Sequence, residues 1–403
     1  MKFSKSLLLN GGLIIGSVLV CFLIAEVVAR MVLPKQRVKR SPQVRHLYSE
    51  ALGWAIEPKQ SAYTFSFPVT MNSEGWRYRE FAQPKPAGVI RILCLGDSLT
   101  FGAGVRDEDT YPAQLETLLN QGNPPHRPEV LNMGVFGYGT RQEIDVLQTK
   151  GVHYQPDLVI LGFYANDPED TRRYYRFHQT LANDVTPPLF PPQAGGGRSS
   201  DPVPMAKTPA PTPTVAEPPA RQSWLRQFVG THLAGKRLLP PSVMYLLQNS
   251  RVAYYCGWLI NRLVIRESME ADLLQGKDLP EIRAAWQQVD ECFKEAAALG
   301  REYHFKLVIL IFPHPQQLAQ DYPAAEYQSK VQELAAKYDI PSVDLLPAFK
   351  GAYTTFESLF IPYDGHPNET AYQITAAAMH AFLNGKDGFL RTTGITSQKN
   401  ESP

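Results

Sequence analysis

Residue types that can together cleave an ester occur at four separate places in the chain. They are Ser98 in LCLGDSLTFGAG, Gly137 in NMGVFGYGT, Asn166 in YANDPED, and the pair Asp364 and His366 in YDGHPN. A serine hydroxyl attacks a carbonyl carbon only when a base takes its proton, and a histidine does this near neutral pH. A carboxylate beside the histidine fixes the imidazole tautomer and stabilises the imidazolium that forms.

The same residues can also stabilise the charge that develops on the substrate's carbonyl oxygen. The backbone N–H groups of Ser98 and Gly137 and the side-chain amide of Asn166 supply three donors for this oxyanion. Singly, each residue has a plainer interpretation: Gly137 as a turn glycine, Asn166 as a helix cap and His366 as a loop histidine. The stretch around Ser98 contains neither G-x-G-x-x-G nor G-x-x-x-x-G-K-[ST], the phosphate-binding patterns. Together, the residues predict acyl transfer to a serine.

The elements between these segments predict how the residues meet. Five apolar runs read as strands and alternate with segments of helical periodicity. The strands are VIRILCL (89–95), PEVLNMG (128–134), PDLVILGF (156–163), FKLVILIF (305–312) and IPSVDLL (340–346), and the helices cover 110–121, 140–150, 280–299, 324–338 and 368–384. This alternation predicts a parallel α/β sheet covered on both faces. Each candidate residue follows the carboxyl end of a strand, where open α/β sheets hold their ligands.

Three further polar residues stand beside these segments. Asp97 and Asp167 flank Ser98 and Asn166 in the chain, and we expect them to brace the loops. His314 follows the fourth strand, and we expect it to form part of the pocket wall.

The motifs, taken in order, resemble a known superfamily. GDSLTFG, NMGVFG, AND and DGHPN resemble the four blocks of the SGNH hydrolases, also called the GDSL esterase/lipase family, and MNSEGWR (71–77) resembles a segment that commonly precedes the first block in membrane-anchored bacterial members. The resemblance runs from about Asn72 to Leu383, apart from an insertion. It implies a flavodoxin-like three-layer α/β/α fold with a five-stranded parallel sheet. It also implies Ser98 as nucleophile, Gly137 and Asn166 in the oxyanion hole, and His366 as general base.

The acidic residue departs from the usual pattern of this family. A D-x-x-H pattern would place the acid at position 363, which is Tyr363, whereas Asp364 stands two residues before His366. Some relatives, including alginate-acetylation enzymes, resemble this chain in having D-x-H. We therefore expect Asp364 to orient His366.

The N-terminus predicts a single-pass membrane anchor. Residues 7–25 carry no charge, and 19 residues at about 1.5 Å each nearly cross a hydrocarbon core of about 30 Å. A cleaved signal peptide is the alternative, but no small-x-small site precedes Glu26. Five basic residues follow the apolar tract and two precede it, which by the positive-inside rule favours a cytoplasmic C-terminal part. The lysine–apolar layout instead resembles an export signal, and we expect the catalytic domain outside the cytoplasm.

Composition divides the chain into four parts. We expect the anchor at 1–33, an approach segment at 34–88, the hydrolase domain at 89–386 and a tail at 387–403. An insertion at 170–275 interrupts the domain. Its stretch 187–219 holds 11 of the 34 prolines, which predicts disorder over about 186–221. The later part of the insertion has helical periodicity and fits a lid, a membrane-surface helix or a packed core helix, of which packing is the commonest.

The net charge and the cysteine spacing argue against nucleic-acid binding and metal binding. A formal net charge of +1 supplies no field for nucleic acid, and the four cysteines lack metal-ligand spacing, so we expect no nucleic-acid partner, no metal and no cofactor. The expected partners are a small-molecule or glycan acyl ester and the lipid bilayer. The sequence thus predicts a membrane-anchored serine esterase that forms an acyl-enzyme. The alternatives are an O-acyltransferase with a sugar hydroxyl as acceptor, and a non-catalytic carbohydrate-binding scaffold, which the Ser98/His366 pair disfavours.

Overall fold

The computed structural model describes residues 5–122, 124–182, 249–265, 269–319, 326–385 and 389. The proline-rich stretch expected to be disordered, at 186–221, lies outside these residues, as does most of the tail. The strands are β1 (His46–Ser49), β2 (Gly53–Ile56), β3 (Ser61–Thr64), β4 (Phe67–Thr70), β5 (Val89–Leu95), β6 (Arg127–Asn132), β7 (Leu158–Phe163), β8 (Lys306–Ile311) and β9 (Ser342–Asp344).

The described helices follow the same chain order. They are α1 (Lys5–Val32), α2 (Ser98–Phe101), α3 (Tyr111–Leu119), α4 (Thr140–Thr149), α5 (Asp167–Ala182), α6 (Arg251–Ile265), α7 (Met269–Leu274), α8 (Pro280–Glu302), α9 (Pro315–Ala319), α10 (Glu326–Ala336), α11 (Leu346–Ala352), α12 (Phe356–Leu359) and α13 (Glu369–Leu383), with a 3-10 turn at Gly151–Tyr154.

A five-stranded parallel sheet forms the centre of the molecule. Its strand order is β6-β5-β7-β8-β9. The first of these strands in the chain, β5, lies inside the sheet, with β6 on one side and β7, β8 and β9 on the other. Every residue of β5 and β7 is buried, because helices cover both faces of a sheet built from such crossovers. This is the flavodoxin-like order, and it confirms the predicted α/β fold.

The two helical layers bury separate apolar clusters against the sheet. On one face, α3 and α13 pack together and bury Leu115, Tyr372 and Met379. On the other face, α4 and α8 bury Ile144 and Phe293. Burying a side chain of this size stabilises the fold by roughly 1.5–3 kcal/mol. The layers thereby hold the carboxyl edge of the sheet in place, and the candidate residues lie at that edge.

Two antiparallel hairpins precede the sheet. Strand β1 pairs with β2, and β3 pairs with β4, within the segment expected only as an approach to the domain. Apolar residues of this segment, including Ile56, Val69 and Trp76, belong to the same buried cluster as Leu93 of the central sheet. The hairpins therefore share the core of the domain that contains the central sheet.

The N-terminal helix α1 stands apart from that core. Within the described residues, one helix is long and apolar enough to cross a membrane, with a span at Asn10–Val32 and a mean hydropathy of 2.5. Its later turns contact the start of α6. Glu26 accepts hydrogen bonds from Ser250 Oγ at 2.8 Å, Arg251 N at 3.1 Å and Val252 N at 3.2 Å. A side chain of α1 thus caps the first turn of α6, a role that side-chain oxygens commonly fill.

Candidate active site

Ser98 lies just beyond β5, at the first position of α2. The turn before it requires glycine, because Gly96 has φ of 153° and a Cβ there would lie 2.1 Å from Thr100 Oγ1. Asp97 caps α2 by accepting a hydrogen bond from Leu99 N at 2.8 Å. The tight turn carries Ser98 from a fully buried strand to a partly exposed position at the sheet edge.

His366 approaches Ser98 from the loop before α13. His366 Nε2 lies 2.9 Å from Ser98 Oγ, and His366 Nδ1 is hydrogen-bonded to Asp364 Oδ1. The loop folds back sharply, since Ile361 N donates to His366 O at 2.8 Å, and Asn368 caps α13 directly afterwards. This turn places Asp364 against the imidazole although only one residue separates them.

Besides Ser98, the expected oxyanion donors lie beyond the ends of β6 and β7, the two strands beside β5. Gly137 follows β6 with φ of 71°, and the N–H groups of Ser98 and Gly137 meet no acceptor among the described residues. Asn166 follows β7, and its Nδ2 lies 3.2 Å from Asp97 Oδ2 and 2.9 Å from Asp170 Oδ2. Two carboxylates therefore hold the Asn166 amide at the sheet edge.

Burial and neighbouring charges shift the pKa values of these groups. Burial lowers the pKa of His366, but the Asp364 carboxylate outweighs it, so the pKa lies above the ordinary 6.5. Burial raises the pKa of Asp364, but His366 outweighs it and holds that pKa below the ordinary 3.8. The pair is thus arranged to stabilise a charged imidazolium. Burial raises the pKa of Asp97, and burial, opposed by Arg173, raises that of Asp170 to about 7.

A buried arginine supports the helix that begins with Ser98, and the sequence analysis did not identify it. The side chain of Arg77 is 1% exposed. Arg77 is the last residue of the MNSEGWR stretch, and that motif was the signal in the sequence that could have identified it. Its guanidinium donates to three backbone carbonyls at 2.6–2.7 Å and pairs with a carboxylate at 2.7 Å; the partners are Phe101 O, Gly102 O, Val105 O and Asp107 Oδ1. Arg77 therefore fixes the end of α2, the helix that begins with Ser98.

The remaining sequence-predicted residues lie around this edge. Asp167 Oδ2 accepts from Tyr164 N at 2.9 Å, as a residue that braces the loop would. His314 follows β8, stacks on Tyr164 with ring centroids 5.8 Å apart, and has its Nε2 3.2 Å from Glu270 Oε1. Among the described residues, no group of three or more His, Cys, Asp or Glu is arranged to hold a metal. That the chemistry needs no metal or cofactor stays a prediction.

The fold and the site define a class of protein: an α/β fold with a serine and a histidine in contact at the carboxyl edge of a five-stranded parallel sheet. Residues 94–232 match the model of the GDSL-like lipase/acylhydrolase family. The matched stretch resembles a domain of this family, and the match supports an ester-cleaving hydrolase. No curated protein is a significant match to the chain.

Several solved structures are similar to this chain at low identity. An acetylxylan esterase from Geobacillus stearothermophilus is 13% identical, with 76% of this chain and 95% of that one covered and a TM-score of 0.37. An alpha/beta hydrolase from the Lake Arreo metagenome is 16% identical, with 76% and 97% covered and a TM-score of 0.38. A lipolytic G-D-S-L family protein from Veillonella parvula is 12% identical, with 72% and 95% covered and a TM-score of 0.35.

Proposed function

We propose that the protein is a serine esterase that cleaves an O-acyl ester through an acyl-enzyme on Ser98. The observation that carries the proposal is the 2.9 Å contact between His366 Nε2 and Ser98 Oγ, with Asp364 bonded to Nδ1 of the same ring. A nucleophile in hydrogen-bond reach of a base that a third group orients is the arrangement acyl transfer requires.

The reaction then runs in two halves. Ser98 Oγ attacks the ester carbonyl carbon while its proton passes to His366 Nε2, and the carbonyl electron pair moves onto oxygen. When the tetrahedral intermediate collapses, the alkoxide leaves with the proton from His366, and the acyl group stays on Ser98. A water molecule attacks this acyl-enzyme, His366 takes the water's proton, and collapse releases the acid and returns the proton to Ser98.

The developing oxyanion would be held by three donors. The N–H groups of Ser98 and Gly137 are without acceptors in the described part of the chain, so they are available without rearrangement. The amide of Asn166 makes its longer contact, 3.2 Å, to Asp97 and its shorter, 2.9 Å, to Asp170. The oxyanion would replace Asp97 as the acceptor for Asn166, and Asp170 would keep the amide in position.

A covalent label combined with turnover tests this proposal. The full chain in detergent is incubated with short acyl esters, such as p-nitrophenyl acetate, and separately with a serine-directed phosphonate. We expect a phosphonate adduct on Ser98, and Ser98→Ala should lower kcat by roughly 10⁴-fold or more with the fold intact. Ser329 is exposed on α10, so Ser329→Ala is the matched control and should retain wild-type kcat.

Two results would contradict the proposal. One is Ser98→Ala that turns over esters at the wild-type rate; the other is a phosphonate adduct only at serines other than Ser98.

Adding a sugar acceptor to the same assay separates hydrolysis from transfer, since release of free acid by a hydrolase does not depend on the acceptor concentration. Transfer that exceeds hydrolysis at modest acceptor levels would favour the O-acyltransferase.

A further inference from the structure

Tyr363 precedes Asp364 in the loop that carries the catalytic histidine. The loop is closed at its base by the backbone bond from Ile361 N to His366 O and by a β-bridge between Phe360 and Pro367. Tyr363 itself has φ of 65°, in the left-handed region. A bulky side chain adopts that conformation at a cost, and only where the surrounding structure over-determines it.

Two sets of contacts hold Tyr363 in this conformation. Its hydroxyl donates to Pro34 O at 3.2 Å. Its ring lies 6.2–6.4 Å, centroid to centroid, from three aromatic rings of α6, within the range in which aromatic pairs attract; these are Tyr254, Tyr255 and Trp258. The side chain thus has a polar and an apolar support.

Both supports come from the segment directly after α1 or from α6, the helix that contacts α1. Pro34 stands two residues after the end of α1. The first turn of α6 is capped by Glu26 of α1, and Arg251 Nη1 donates to Arg30 O and Leu33 O at 2.6 Å each. The contacts of Tyr363 therefore connect the loop of the Asp364–His366 pair to α1 and α6 rather than to the central sheet.

We propose that Tyr363 is a positioning residue that keeps the Asp364–His366 pair aligned with Ser98 by fastening its loop to Pro34 and α6. The inference rests on the proposed function, in which Asp364 orients the imidazole. If Tyr363 lost its supports, the residue would relax toward a conformation with negative φ. The carboxylate of the next residue would then move with respect to His366 Nδ1, and a misplacement of about 1 Å can cost 10²-fold in rate.

Graded variants of the full chain test this role. Tyr363→Phe removes the bond to Pro34 and keeps the ring, so we expect kcat to fall roughly fivefold with KM unchanged. Tyr363→Asn removes the ring with a residue that tolerates left-handed φ, and we expect a loss of about 10²-fold. In both variants, the acid limb of kcat/KM should move to lower pH, because a displaced Asp364 raises the pKa of His366 less, while Asp97, which also raises it, and Lys39, which lowers it, are unchanged.

Tyr303 supplies the matched control. It is 44% exposed and precedes β8 at the opposite edge of the sheet, so Tyr303→Phe and Tyr303→Asn should leave kcat and the acid limb unchanged. The inference is overturned if both Tyr363 variants keep wild-type kcat and pH profile. It is also overturned if kcat falls only in proportion to thermal stability while the acid limb stays in place.

The phosphonate label separates this inference from the proposed function. A wild-type chain that forms no adduct on Ser98 refutes the esterase proposal itself. A wild-type chain that is labelled on Ser98, together with Tyr363 variants of unchanged kinetics, refutes only the role of Tyr363.

Discussion

At the scale of single residues, the Asp364–His366 pair governs how the proposed reaction depends on pH. The imidazole must be neutral to take the proton of Ser98, and its pKa lies above the ordinary 6.5 because Asp364 faces it. Activity should therefore rise with pH through a limb whose midpoint lies above pH 6.5. The raised pKa is consistent with a site that stabilises the imidazolium formed during catalysis.

Replacing the carboxylate tests this directly. Asp364→Asn removes the largest of the charges that raise the pKa of His366, while burial and Lys39, which lower it, remain, and only the smaller effect of Asp97 still raises it. The acid limb of kcat/KM should therefore shift to lower pH. The plateau kcat should fall by roughly 10⁴-fold, because the amide can favour the wrong imidazole tautomer. Both quantities come from one series of initial rates between about pH 5 and 9.

The matched control for this variant is Asp278→Asn, whose carboxylate is 78% exposed and pairs with Arg283. It should keep the wild-type limb and plateau. A loss of kcat within about tenfold for Asp364→Asn would mean that Ser98 and His366 work as a pair without this acid.

At the scale of elements, buried partners hold the short helix that begins with Ser98. Four residues form only one turn, and such a turn is not stable on its own. In this protein, Asp97 accepts from its N-terminal end and Arg77 donates to its C-terminal carbonyls. The position of Ser98 therefore depends on contacts between α2 and the segment before β5.

Arg77→Met should show how much this support contributes. The variant keeps most of the side-chain volume but leaves buried carbonyls without a donor and Asp107 without its partner, so we expect a loss of about 3–5 kcal/mol in the free energy of unfolding. Denaturant unfolding of the full chain in detergent measures it. Arg283→Met, at a side chain that is 56% exposed, should change stability by less than about 0.5 kcal/mol. If Arg77→Met lowered the free energy of unfolding by less than about 1 kcal/mol, Arg77 would not be a main support of α2.

The sequence predicts the central elements because their patterns are long and uniform. Strand β7 is apolar over all six of its residues and β5 over six of seven, and helices α3, α4, α8, α10 and α13 keep a regular period, so these elements can be predicted without their neighbours. Helix α5 was not predicted, because the sequence analysis places the start of the insertion within it. The hairpins β1–β2 and β3–β4 have strands of four residues with mixed polarity, as in HLYS and SAYT, too short to show a period.

Contacts between distant segments explain what the sequence could not show. Arg91 interrupts an apolar strand and is fully buried, because Glu129 of the neighbouring strand lies 2.7 Å away. In the sequence, Tyr363 is notable only because it occupies the position where the usual pattern places the acid, and its contacts with Pro34 and α6 depend on the packing of α1 and α6. Asp364 and His366, by contrast, are only two residues apart, so their contact could be predicted from the D-x-H pattern alone.

At the scale of the whole molecule, the N-terminal helix combines two properties. Its span at Asn10–Val32 is apolar and largely exposed, as a membrane-crossing helix would be. Its C-terminal end contacts α6, and Pro34, which follows the helix, contacts the loop that carries Asp364 and His366. A bilayer crossed by α1 would thus lie close to the helices that support the site, and the side of that bilayer decides which esters the enzyme meets.

We predict that the catalytic domain lies outside the cytoplasm. Reporter fusions after Leu383 should be active with an enzyme that needs an oxidising extracytoplasmic compartment, and inactive with a reporter that works only in the cytoplasm. Lys2 and Lys5 precede the apolar span, and replacing both with Asn should reduce the exported fraction, because positive charge is retained on the cytoplasmic side. Lys35 and Arg40 follow the span and are exposed, so replacing both with Asn is the matched control and should not reduce export. A reporter active only in the cytoplasm would show instead that the basic residues after the span determine the orientation.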